Sequence, residues 1–284
     1  MSNIFPVELV EYWVSLAPGA FHVSDLTKDR DVQQLLIDKL EDLVKKGVVD
    51  HHGINRGWYI PRHTELEPMD YMNCDSEPVD VWMPFDLSDK VELYENSIVI
   101  ISGAPNAGKT AIMLNIIEHN RYKDWDIHYF NSEMSAKELR KRLLKFDIPM
   151  ENWKFNAYYR NDRFADVIFP GPNSLNIIDF LEVHDEFYIV GKRIKEIHDR
   201  LKGGIAVIGL QKNPGSDTGL GGYRSMEVAR LALAIDHGTV KISKAKNFTT
   251  AENPNGLMLN FKIVHGCKIV PSRMDGGKLA WHRP

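Results

Sequence analysis

An α/β fold, with a mostly parallel sheet covered by helices, is predicted for most of this 284-residue chain. Three observations predict it. From residue 91 onward, short apolar runs alternate with helical stretches, and that alternation builds a parallel sheet with helices on its faces. One strand–loop–helix unit contains Gly103-Ala104-Pro105-Asn106-Ala107-Gly108-Lys109-Thr110, which fits the phosphate loop G-x-x-x-x-G-K-[ST]. A later apolar run, Leu175-Asn176-Ile177-Ile178-Asp179, ends in a carboxylate.

The phosphate loop is the strongest chemical signal. Residues 97–102 read as a short buried strand, and 111–118 as a helix that starts at the loop. Glycines let the backbone wrap an anion so that successive N–H groups point inward, and the helix dipole is aimed at the same place. Lys109 is suited to the β- and γ-phosphates and the Thr110 hydroxyl to Mg²⁺. Residues Gly103 to Thr110, with Ala111 behind them, are therefore the expected site for ATP with Mg²⁺. Further strands are expected at 127–130, 175–180 and 206–210, and helices at 136–145 and 187–201. The tail is β-rich at 231–235, 238–243, 257–264 and 268–270, which predicts antiparallel strands that extend the sheet.

Residues 1–64 read as a small separate domain. Apolar spacing predicts helices over 6–16 and 31–46, with a short one between them that Ser24 would cap. Gly47 ends the last helix. Residues 48–52, 53–57 and 58–60 then read as strand, turn, strand. Three helices and a hairpin in this order resemble a winged helix-turn-helix. The third helix, which would enter a DNA groove, carries Asp31, Asp38, Glu41 and Asp42 against Lys39, Lys45 and Lys46. A groove-reading helix needs a positive face, so protein docking stands beside duplex binding as a reading of this module. Residues 65–90 contain Pro68, Pro78 and Pro84 without a helical stripe. They read as an extended acidic linker, one that packs along its own core or along a neighbouring subunit.

The composition, 43% hydrophobic and 26% charged, is ordinary for a water-soluble protein, and no apolar run approaches the ~20 residues that span a bilayer. The start of the chain lacks a basic segment followed by an apolar one, so no secretory leader is expected. Cys74 and Cys267 are far apart and fit free thiols in a reducing cytoplasm. The net charge of −4 is uneven. Residues 1–64 carry −2 and 65–90 carry −7, which leaves +5 for 91–284. Residues 91–284 are thus mildly basic, as a phosphate or nucleic-acid surface requires.

Four groups follow the phosphate loop. Asn131-Ser132-Glu133-Met134-Ser135 stands at a strand end, where Glu133 would polarise the water attacking the γ-phosphate or simply cap the next helix. Asp179 ends its strand in the Walker B manner and would hold Mg²⁺. Gln211 ends the strand 206–210 and would sense the γ-phosphate. Lys244-Ala245-Lys246-Asn247 closes a late strand with two cations. Alone each is weak; their order and placement together are specific.

On these residues the region 91–284 resembles the ATPase domain of DnaB-type replicative helicases, within the RecA-like ATPases. The segment 131–136 with Arg142-Leu143 is similar to that family's second motif, 177–181 to its Walker B strand, 208–211 to its glutamine sensor and 242–247 to its late strand. The resemblance implies a RecA-like fold, ATP bound between subunits of a ring or filament, and single-stranded DNA as partner. It implies Glu133 as base, Lys109 and Thr110 on phosphate and Mg²⁺, Asp179 on the metal, and Arg142 near the nucleotide base. It also implies Lys244 and Lys246 reaching a neighbour's nucleotide, and the loop 212–222 facing DNA through Lys212 and Asn213, with Arg224 following. Helicase-like translocation, filament formation or loading without unwinding, and an ATP-set assembly or transcription switch remain open as functions. Two departures bear on the choice. Lys246 stands where the family has an arginine, and a lysine lacks the bidentate fork. A winged-helix-like module and an acidic arm stand in place of the family's helical domain and linker helix.

Overall fold

The computed structural model describes residues 9–62, 68–181, 189–274 and 276–283. The chain divides into two compact units, Met1–Asp75 and Ser76–Pro284. No helix among the described residues is long and apolar enough to cross a membrane.

The first unit holds α1 (Val10–Leu16), β1 (Phe21–His22), α2 (Val23–Leu26), α3 (Arg30–Lys45), β2 (Val49–His51) and β3 (Trp58–Pro61). The strands form an antiparallel sheet in the order β1-β3-β2. Val32, Leu36, Leu40 and Leu43 place the apolar stripe of α3 against Val10, Val14, Phe21 and Tyr59. Asp29 caps α3 by accepting from Asp31 N–H and Val32 N–H. The cap of α2 is His22 rather than the expected Ser24: His22 accepts from Ser24 N–H while its own N–H donates to Asp25. Asp31, Asp38 and Asp42 lie on the exposed face of α3.

The second unit is built on a nine-stranded sheet. Its elements are β4 (Ile98–Gly103), α4 (Lys109–Asn120), β5 (Asp126–Asn131), α5 (Ala136–Leu143), β6 (Asn156–Tyr159), β7 (Ser174–Asp179), α6 (Ile189–Arg200), β8 (Ile205–Gln211), β9 (Ala229–Asp236), β10 (Thr239–Ala245), β11 (Met258–Val264) and β12 (Lys268–Pro271). The order is β12-β11-β10-β9-β4-β8-β7-β5-β6. The strands from β9 to β6 run parallel, and β10 to β12 extend the sheet antiparallel. β9, expected with the antiparallel tail, pairs parallel with β4. β6, a fully exposed edge strand, was not foreseen.

Alternation divides the core between the two faces of the sheet. Val99, Ile101, Val207 and Ile177 pack with α4 on one face. Ile98, Ile100, Ile208 and Ile178 pack with Val190, Ile194 and Ile197 of α6 on the other. α4 is buried on nearly every side, as a helix without a polar face must be.

The acidic stretch 65–90 is split between the units. In its second half Val81, Met83, Phe85 and Leu87 are buried in the core of the second unit. Asn120, fully buried, fastens it there: its side-chain oxygen accepts from Trp82 N–H at 2.8 Å and its amide donates to Trp82 C=O at 3.0 Å. Asn120→Ala strands these two backbone groups and should cost about 2 kcal/mol or more. Urea denaturation followed by tryptophan fluorescence checks this, and an unchanged midpoint would refute the role.

Candidate nucleotide site

β4 delivers the chain into the phosphate loop, and α4 begins at its far end. Gly108 is the N-cap of α4 with φ of 100°, a conformation that glycine alone adopts without strain. A Cβ there would also lie 2.1 Å from Ile263 Cδ1. At Gly103 a Cβ would lie 2.5 Å from Cγ of Lys109, whose stem crosses that residue, and Lys109 Nζ donates to Gly103 C=O at 3.1 Å. No side chain caps α4, so its first N–H groups remain for a ligand.

Register brings the other groups to the same edge. Gly103 pairs with Gln211, and Asn131 pairs with Asp179. Asp179 is 4% exposed. Burial pushes its carboxyl pKa up, while hydrogen bonds from Tyr129 and Thr110 and the charges of Lys109 and Arg142 pull it down. The Tyr129 hydroxyl donates to it at 2.7 Å, and burial beside this carboxylate holds Tyr129 well above the usual phenol range. Burial lowers the pKa of Lys109, against the pull of Asp179 and Glu133. Glu133 is exposed at the cleft on a turn that Asn131 fixes: Asn131 Oδ1 accepts from Glu133 N–H at 3.2 Å and Met134 N–H at 2.8 Å. The next helix is capped by Ser135 with Glu138, which leaves Glu133 free of the capping role open to it in the sequence.

These residues line one cleft of about 440 Å³: Lys109, Thr110, Glu133, Arg142, Asp179 and Gln211. Ile263, near the end of β11, and Gly266, in the turn to β12, complete its wall. They were not found in the sequence; nor was Tyr129. The turn is anchored by Asn115, whose amide donates to Cys267 C=O at 2.7 Å. The glycine cradle fits a phosphate chain, and the Thr110 hydroxyl and Asp179 carboxylate are hard oxygen donors that fit Mg²⁺.

Lys244 and Lys246 lie outside this cleft. Lys244 Nζ donates to Met226 C=O at 2.5 Å and Glu227 C=O at 3.0 Å. Burial lowers its pKa, and the nearby charges of Lys246 and Arg230 lower it further. Arg230, not foreseen, is exposed at the start of β9, and Lys246 N–H donates to its C=O at 2.8 Å. Lys212 corrects an expectation. Rather than facing a nucleic acid, its side chain is fully buried and paired with Asp236. Asn213 and Arg224 line a separate surface cleft with Ser216 and Thr218. Glu182, the alternative base after the Walker B strand, lies outside the described residues.

A family model for the DnaB-like helicase C terminal domain matches residues 86–167. That span holds the phosphate loop, Glu133 and Arg142, and stops short of Asp179, Gln211 and the late lysines. No curated protein matches the chain. Among solved structures, a KaiC-like protein from the hyperthermophilic archaeon Pyrococcus horikoshii OT3 superposes with a TM-score of 0.54 at 18% identity, over 69% of this chain and 100% of that one. The fold is RecA-like. In this RecA-like frame the cleft stands at the carboxyl ends of the parallel strands, where open α/β sheets bind ligands.

Two outcomes test the site. Lys109→Ala should abolish binding of a fluorescent ATP analogue; retained tight binding would sink the assignment. Because burial lowers the Lys109 pKa, its ammonium is lost at lower pH than that of a free lysine. Nucleotide affinity should therefore weaken on the alkaline side as pH passes that lowered value. Lys109→Arg, which stays charged, should remove this limb in the same titration.

Proposed function

We propose that this chain is an ATP-hydrolysing protein that assembles with copies of itself and acts on single-stranded DNA in a helicase-like manner. The observation that carries this reading is the convergence of Lys109, Thr110, Glu133, Asp179 and Gln211 on one cleft, within a fold and partial family match of the DnaB-like kind. Lys109 and the loop N–H groups take the phosphates. Glu133 accepts the proton of the attacking water, work worth about 10²–10⁴-fold. Thr110 and Asp179 would hold Mg²⁺, which when bound neutralises charge on the phosphate oxygens. Gln211 reaches the cleft from the strand that leads into the loop 213–222.

Self-assembly is supported by the cations at the far end of β9. Arg230 stands five residues before Ile235, which pairs with the root of the phosphate loop, so about 16 Å separates the two. Arg230, Lys244 and Lys246 do not reach their own nucleotide; a neighbour's triphosphate is the anion they fit. Arg230 offers the planar fork that Lys246 lacks.

DNA contact falls to Arg224, Asn213 and the hydroxyls of Ser216 and Thr218, in place of Lys212. Filament formation or loading without unwinding uses the same contacts, and a strand-displacement assay separates it from translocation. A second reading, an ATP-set assembly switch, is favoured by the acidic face of α3 and the burial of Lys212. In it the N-terminal unit, winged-helix-like in its element order, docks a protein.

The test is ATP hydrolysis by the purified chain at low salt, with and without single-stranded DNA, with Glu133→Gln as the blank. Stimulation of about tenfold or more is expected, with a log-affinity slope against log salt that falls by about 0.7 in Arg224→Ala. Turnover indifferent to DNA would transfer the conclusion to the switch. Mixing Lys246→Ala with Lys109→Ala should restore part of the lost turnover, since hybrid interfaces pair an intact phosphate loop with intact cations. Absence of any restoration would count against action between subunits.

A further inference from the structure

Gly103 at the tip of β4 pairs with Ile235 of β9 on one side and with Gln211 of β8 on the other. The next residue on each flank is charged. Lys212 and Asp236 meet across the tip of β4, with Lys212 Nζ donating to both carboxylate oxygens at 2.8 Å. The lysine side chain is fully buried, while 35% of the Asp236 side chain is exposed. The phosphate loop leaves directly between them: Ala104 N–H donates to Ile235 C=O at 3.1 Å, and Lys212 N–H donates to Gly103 C=O at 3.2 Å.

The same pair roots the glycine-rich loop. Lys212 Nζ also donates to Asn213 C=O at 3.3 Å, and Asp236 accepts from Gly215 N–H at 3.4 Å. The far end closes where Leu220 N–H donates to Gln211 C=O at 2.8 Å. A buried ammonium is tolerated only when paired and hydrogen-bonded. An apolar side chain would fill the same space without that constraint, but it would not tie β8, β9 and two loops to a single point.

We propose that the Lys212–Asp236 ion pair is a positioning element. It joins the phosphate loop to the loop 213–222, holds Gln211 toward the cleft and passes nucleotide occupancy to that loop. The proposal rests on the nucleotide site argued above. Because side chains alternate along an extended segment, Gln211 faces the cleft and is exposed when Lys212 is turned inward. Fixing Lys212 therefore fixes the direction of Gln211. A shift of Gly103 and Ala104 on phosphate binding acts on both partners of the ion pair, and through them on Asn213 and Gly215.

Hydrogen exchange of the full chain, read by mass spectrometry with and without a non-hydrolysable ATP analogue and Mg²⁺, tests this. In the native sequence the analogue should slow exchange both at 104–111 and at 212–223. In Lys212→Met the protection at 104–111 should remain and that at 212–223 should vanish. Its kcat should fall about tenfold or more with KM for ATP within about threefold. Lys212→Arg, which keeps the pair, should behave as the native chain. If Lys212→Met does not fold, Lys212→Gln, still able to reach Asn213 C=O, carries the same expectation. Retained loop protection in the neutral variant overturns the proposal, as does a native loop that ignores the nucleotide while 104–111 responds. Failure of protection at 104–111 itself would instead fall on the nucleotide site.

Discussion

The second unit is arranged around a carboxylate taken out of water. Asp179 sits at the end of β7 with 4% of its surface exposed, in a place where burial favours its neutral form. What keeps a charge tenable there is a short list of partners: the Tyr129 and Thr110 hydroxyls, which donate to it, and the charges of Lys109 and Arg142. Lys109 in turn is desolvated and leans on Asp179 and Glu133. The buried carboxylate and the half-buried ammonium are each other's partial solution. On the proposed reading a triphosphate with its metal would supply the rest, which is what a preorganised electrostatic site requires.

That arrangement is a consequence of the parallel sheet. Parallel strands bring all their carboxyl ends to one edge, so Gly103, Asn131, Asp179 and Gln211 arrive together by register rather than by separate loops. Alternation within each strand then sorts neighbours in the chain. Gln211, at the end of β8, is exposed at the cleft. One residue later Lys212 turns inward to Asp236.

Much of this was readable because it is local. The phosphate loop, the apolar runs of β4, β7 and β8, and the Glu133 segment are short-range patterns, and each stands where its period and turn residues require. The failures have physical causes of another kind. Lys212 looked like a loop cation because its counter-ion is 24 residues away on another strand. Ile263 and Gly266 carry no local signal; they matter only because the end of β11 and the turn to β12 fold over α4. β6 lies at the sheet edge with every residue exposed, so Asn156-Ala157-Tyr158-Tyr159 has no buried face to impose a period. The cap of α2 passed to His22 because an imidazole nitrogen can accept as a hydroxyl does.

The two ends of β9 divide the charge. At one end Asp236 is matched by Lys212. At the other, Arg230, Lys244 and Lys246 stand within each other's field, with Glu227 the opposing charge that acts on Lys244. Like charges so placed repel, and an anion relieves them. The cleft of Lys109 and Asp179 lies at the opposite end of the same extended strand, and a strand does not fold back on itself to bring the two together. On the proposed reading, the relief comes from the next copy, so the contact joins two different surfaces of the same molecule. Such head-to-tail contacts close into rings when the rotation divides a full turn and run on as helices when it does not. Ring and filament therefore use the same strand end and the same cations. What selects between them is the angle between copies, a property of the surfaces around β9 rather than of the residues that touch the phosphate.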